Sequence, residues 1–297
     1  MPSDLDGVYE SFAKCVSGSG LVVFVVKFDP DSNLLLDDYN FEMFMRLQSL
    51  QKQLRIKNLK FRNLQILSLI NASLVKFICS IKCGNMTNPQ ISTGEFGKPS
   101  LEDGSFTFNI SDEFNMVAIA VDFEARGEIG LDLADLVEMR PLVPDVSKNW
   151  TAPTGEIFSP RETQYLLQQY ESWHEEKQTN LETLLTQYWS LKEGYTKFIG
   201  LGLNYPLVKC EFLQSETILK RSEKLDFSPQ DLHFKDLETK WVNSECICVP
   251  KTTSFSTRLS ERIFCSVLVD ASISYEPPKL ISVSLEAMLA FCKSAQD

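Results

Sequence analysis

The sequence predicts an α+β fold of two similar halves, each a small antiparallel sheet packed with helices. Three observations carry this. Apolar residues make up 43% of 297, enough for one large core or two of about 150 residues each. Strand-like and helical runs come in clusters without regular βαβ alternation, which argues against a doubly wound sheet. Each half holds helices flanked by about three strands, so the division is expected near residue 126, giving halves 1–126 and 127–297.

In chain order, GLVVFVVKF at 20–28 is a β-branched run too short to cross a bilayer and reads as a buried strand. Helical patterns follow at about 38–57 and 62–80. The second is apolar but broken by Gln65, Asn71 and Lys76, the mark of a core helix and not a membrane span. A loop rich in Gly, Asn, Thr and Pro spans 83–100. FTFNIS at 106–111, MVAIAVDF at 116–123 and IGLDLADL at 129–136 read as strands, and Gly130 in the last permits close backbone approach. After a Pro-rich stretch at 140–160, Ser159 and Pro160 supply an N-cap and first position for a helix. A further helix covers about 179–198. Short strands are then expected in LVKCEF, ECICV, IFCSVLV and KLISVSL, with a closing helix in LEAMLAFCKSA.

Composition excludes several functions. The net charge of −11 disfavours general binding to nucleic acid or anionic membranes. Only His174 and His233 are present, which disfavours a His-rich metal site. The eight cysteines show no C-x-x-C spacing, and together with the acidic start, which is unlike a signal peptide, they suit reduced thiols in a cytoplasmic protein. Charge is also uneven. Residues 43–94 contain no Asp or Glu but eight Lys and Arg, among them Arg46, Lys52, Arg55 and Arg62. That stretch is either a solvated basic face or a local anion site. Arg62 opens a helix, where a guanidinium can grip a phosphate or stack on a base.

The densest chemical signal is YWSLKEGYTKFIGLGL at 188–203. Trp189, Glu193 and Lys197 stand at i, i+4 and i+8 and share one helix face. This is either an ordinary surface pair with Trp189 as filler, or half of a site that continues into Gly200 and Gly202, whose backbone can approach an anion. Asp132, alone in an apolar strand, either faces solvent at a strand end or needs a partner such as a metal ion.

The ordered set GKPSL (97–101), FNIS (108–111), IGLDLAD (129–135) and WSLKEGYTKFIGLGL (189–203) resembles the long, single-chain, pseudodimeric 4′-phosphopantetheinyl transferases. The resemblance is strong over 97–203, about a third of the chain. It implies a monomeric enzyme that moves the phosphopantetheine arm of coenzyme A to a serine of an acyl or peptidyl carrier domain. Similarity to fungal members makes the carrier domain of aminoadipate reductase, in lysine biosynthesis, one client. By motif position, Asp132 and Glu193 would hold Mg²⁺, and Glu193 would also deprotonate the serine. Lys197 would meet the pyrophosphate, with Lys192 near the catalytic carboxylate. Arg62, Lys98, Pro99 and Ser111 would hold the nucleotide. Two positions depart from the family pattern: Asp112 stands where a histidine follows FN-x-S, and Ala134 where G-x-D-x-E has its glutamate. Both would suit a catalytically silent scaffold that binds coenzyme A or a carrier, the alternative reading.

Overall fold

A computed structural model describes residues 4–31, 34–83, 89–140, 156–214, 218, 225–227 and 233–295. Two five-stranded sheets form its centre. The first has the order β4 (Thr107–Glu113), β5 (Met116–Asp122), β1 (Leu21–Lys27), β12 (Lys279–Val283) and β8 (Phe234–Asp236). It is antiparallel except where β1 runs parallel to β12. The second, wholly antiparallel, has the order β6 (Ile129–Asp135), β11 (Ile263–Asp270), β10 (Thr252–Arg258), β9 (Val242–Cys246) and β7 (Phe212–Gln214). The short strands β2 (Ile91–Thr93) and β3 (Pro99–Leu101) pair with each other.

The apolar run of β1 is buried on both faces, as its lack of alternation requires. Val22, Phe24 and Val26 join a core with helices α1 (Asp4–Val16), α2 (Asp38–Arg46), α4 (Arg62–Cys83) and α8 (Leu285–Ser294). Val23 and Val25 point the other way, into a core shared with Leu131, Phe255 and Val267 of the second sheet. The sheets therefore stack face to face. On the outer side of the second sheet, α6 (Pro160–Ser172) and α7 (Lys177–Phe198) pack through Leu166, Leu184, Leu191 and Tyr195 against Leu268. Like α7, α4 has 22 residues, so each sheet carries one long helix. Buried Leu69, Ile70, Leu74 and Phe77 make α4 a core helix despite its apolar character.

The sheets do not follow the expected division near 126. Strands β8 and β12, with α8, come from the second half yet complete the first sheet. That pairing costs a long loop closure, repaid by burying Phe234, Ile281 and Met288. The N-terminal helix α1 was not foreseen, and the stretch 38–57 is two helices, with α3 (Leu50–Lys57) starting afresh where Ser49 accepts a hydrogen bond from the Lys52 N–H. Residues 207–209 of LVKCEF form a 3-10 turn before β7. The capping signals at 159–160 hold, strengthened by a reciprocal Ser159–Glu162 capping box.

Candidate active site

Strands β4 and β6 are the facing edges of the two sheets, and side chains stitch them together. The Leu131 N–H donates to Asn109 Oδ1 at 2.9 Å and the Leu133 N–H to Ser111 Oγ at 3.1 Å. Two hydrophilic residues of FNIS thus take the place of a neighbouring strand's carbonyls, which satisfies an otherwise exposed edge. Asn109 was missed by sequence reasoning, although an Asn in an apolar strand needs such a partner.

On the other face of β6 lies α7. A Cβ at Gly130 would collide with the Gly194 carbonyl oxygen and Phe198, and one at Gly194 would strike Leu268. Glycine at both positions lets the helix backbone settle directly on the strand. This close approach brings the α7 face carrying Glu193 and Lys197 over Asp132, as the helical spacing predicts.

Asp132 is 2% exposed. Its Oδ1 accepts from Lys197 Nζ at 2.6 Å and from Ser111 Oγ at 3.2 Å, and Lys197 also donates to Ser111 at 2.9 Å. Burial alone would pull the Lys197 ammonium down, but Asp132, Glu193 and Asp112 together hold the group above its ordinary value. Burial, and then the negative charge of Asp132, push the Glu193 carboxyl up to about 7, against the pull of Lys197. Asp132 Oδ2 is buried without a hydrogen-bond partner. An orphaned carboxylate oxygen beside a second, destabilised carboxylate is a site that a divalent cation fits. Asp135 points away, as strand alternation requires, to cap the short helix α5 (Leu136–Met139) at the Val137 N–H and to meet Arg262. It forms a second acidic group with Glu113 and Glu138, their ligand atoms within 4.8 Å of one another. There the Arg262 guanidinium already occupies both Asp135 oxygens.

Beside Lys197 opens a cavity of about 760 Å³. Lys98, Pro99 and Gly200 form one wall, and Lys52, Arg55 and Lys76 of α3 and α4 form another. Five cations around one cleft give it the character of an anion site. Burial, and then Arg55, pull the Lys52 ammonium down, and burial does the same to Lys76. Lys98 reaches Glu128 Oε2 at 2.6 Å and the Phe198 carbonyl at 2.9 Å, tying the β2–β3 hairpin to the end of α7. Asp112 accepts from Asn71 Nδ2 at 2.5 Å, and burial pushes its carboxyl up against the pull of Asn71, Lys197 and Lys52.

Two expectations are corrected. Arg62 does not line this cavity: its guanidinium stacks 3.7 Å over Phe41 and donates to the Leu35 carbonyl and to Asp38, fastening α4 to α2. The basic segment does build the cleft, but through Lys52, Arg55 and Lys76. Lys192 is not near Glu193's carboxylate. One residue along a helix is about 100° around it, and Lys192 is fully buried on a different face, bonded to Glu162 at 2.7 Å and to the carbonyls of Leu207 and Cys210.

A family model described as the 4′-phosphopantetheinyl transferase superfamily matches residues 128–248, the stretch that supplies Asp132, Glu193 and Lys197. Over 281 residues the chain is 28% identical to the L-aminoadipate-semialdehyde dehydrogenase-phosphopantetheinyl transferase of Saccharomyces cerevisiae, covering 91% of this chain and 89% of that protein. It is 27% identical over 240 residues to the protein of the same name from Candida glabrata, covering 78% and 86%. With the G-x-D strand and the W-x-x-K-E-x-x-x-K helix brought face to face over one cleft, the chain is similar to the 4′-phosphopantetheinyl transferase superfamily in the stretch that carries both motifs, and to two yeast phosphopantetheinyl transferases over most of its length.

Proposed function

We propose that the chain transfers the phosphopantetheine arm of coenzyme A to a serine of a carrier domain, with Mg²⁺ held by Asp132 and Glu193, and that the aminoadipate reductase carrier is its client. The observation that carries this reading is the buried Asp132, one oxygen paired to Lys197 and the other unpartnered, beside the raised carboxyl of Glu193. The client comes from the names of the two yeast relatives.

Coenzyme A would lie in the cationic cleft, its nucleotide phosphates against Lys52, Arg55 and Lys76 and its pyrophosphate near Lys197. The carrier serine oxygen attacks the phosphorus bearing the pantetheine arm. The bond from that phosphorus to the bridging oxygen breaks, releasing adenosine 3′,5′-bisphosphate. Glu193 accepts the serine proton, a task suited to a carboxyl near neutrality. Lys197, kept charged by Asp132, turns its ammonium to the oxygen that leaves. When bound, Mg²⁺ supplies positive charge against the pyrophosphate. Ser111 keeps Asp132 and Lys197 aligned.

The full chain, incubated with coenzyme A, Mg²⁺ and an unmodified aminoadipate reductase carrier domain, should add about 340 Da to one serine, the mass of the arm, and a chelator should stop the addition. Coenzyme A binding without mass gain would support the silent scaffold instead. In the same assay, replacing Lys52 and Arg55 together by Ala should raise KM for coenzyme A about tenfold or more, with kcat little changed, as loss of uniform binding requires.

A further inference from the structure

Three cysteines lie beside α7 at the β9–β7 edge of the second sheet, whereas Asp132 is on β6 at its other edge. The register pairs Phe212 with Cys246, and the Ile247 N–H donates to the Glu211 carbonyl at 3.1 Å, so Cys210, Cys246 and Cys248 fall on one face of a two-stranded ribbon. Cys210 and Cys246 are buried, their sulfurs 3.9 Å apart. Cys248 is partly exposed, and its sulfur accepts the Glu211 N–H at 3.2 Å and meets the Lys209 carbonyl at 2.7 Å. The other described thiols, Cys15, Cys79, Cys265 and Cys292, are all buried. The site chemistry uses none of these sulfurs.

We propose that this trio is a reversible oxidative modification site, in which a hydroperoxide enters at Cys248 and the oxidation is passed inward to a Cys210–Cys246 disulfide. Cys248 is the one member open to solvent, so the oxidant meets it first. Its thiolate attacks the peroxide oxygen, breaking the O–O bond and giving a sulfenic acid and an alcohol, or water from hydrogen peroxide. The Cys246 thiolate then attacks the Cys248 sulfur, and the hydroxyl leaves as water. The Cys210 thiol, in contact with Cys246, displaces Cys248, which recovers the proton. In sum, two thiols are oxidised and one peroxide is reduced. The direction of exchange follows from geometry: a bridge between residues two apart closes a very small, strained ring, whereas Cys210 and Cys246 sit on adjoining segments. Hydrogen bonding from Cys210 pulls the Cys246 thiol down, in keeping with its part as the attacking thiolate, while burial pushes Cys248 up and makes entry slow.

Peptide mass mapping of the full chain after hydrogen peroxide and thiol blocking tests this. The expected result is a loss of about 2 Da per chain, a Cys210–Cys246 linked peptide pair, and reversal by dithiothreitol. Cys248→Ser should slow the link about tenfold or more, and Cys210→Ser should leave the link between Cys246 and Cys248. A link that forms equally fast in Cys248→Ser, or none among these three residues in the wild type, overturns the proposal. Circular dichroism of each variant checks that it is folded.

Discussion

Replacing Glu193 by Gln should lower the rate of arm transfer about 10²- to 10⁴-fold, the largest effect expected in the molecule, while the fold survives. Glutamine keeps the volume and the helix but neither accepts the serine proton nor contributes charge to a cation. A reading independent of turnover comes from stability. The ordinary value of this carboxyl is 4.5 and the folded one about 7, so between those limits the native state binds more protons than the unfolded state. Stability of the cation-free protein must then fall as pH rises through that window. Burial and the neighbouring Asp132 are the cause, since both penalise the ionised form. Mg²⁺ should reverse the loss, raising the thermal midpoint more at about pH 8 than at about pH 5, because it binds the ionised form. Glu113, also pushed up to about 7 by burial and by Glu138, adds a slope of the same sign, so the difference between wild type and Glu193→Gln isolates Glu193. Equal pH slopes in the two proteins would remove Glu193 from the cation site.

What the sequence disclosed follows the range of the forces involved. Periodicity is local, so β1, β4, β5, β6 and α7 were legible, as was the shared face of Trp189, Glu193 and Lys197. The β10 strand was not: TTSFSTR lacks an apolar alternation, and its two buried serines are satisfied across the sheet, Ser254 by the Ser244 carbonyl and Ser256 by Ser266. The placement of β8, β12 and α8 in the first sheet depends on contacts far apart in the chain, which no window of residues reports. Charge counting located the basic stretch, Lys52 and Arg55 included, but singled out the wrong member as the ligand. Arg62 was attractive as a helix-opening cation, yet Asp38 and the ring of Phe41 stood within its reach. Lys192 carried a readable warning. On α7 it lies between Tyr188 and Tyr195, at i−4 and i+3, both fully buried, and a lysine on a buried face requires a partner.

That partner makes the second large prediction. Lys192→Met should destabilise the protein by about 3–5 kcal/mol, the usual cost of stranding one member of a buried ion pair, measured by urea unfolding. Glu162 would be left charged and enclosed, although it would still accept the N–H groups of Ser159 and Phe212. Adding Glu162→Gln should recover much of the loss, because the amide retains an acceptor oxygen without the charge. Transfer measured well below the unfolding temperature separates the two roles open to Lys192. If the lysine only braces α6, α7 and the 207–210 turn, the folded Lys192→Met protein should keep kcat within about threefold, whereas a residue at the reacting atoms should cost about 10²-fold or more. Neighbours in sequence would then divide their work by helix geometry. Glu193 faces the strand where charge is handled, Lys192 faces the interior where it must be neutralised, and the roughly 100° between them separates chemistry from support.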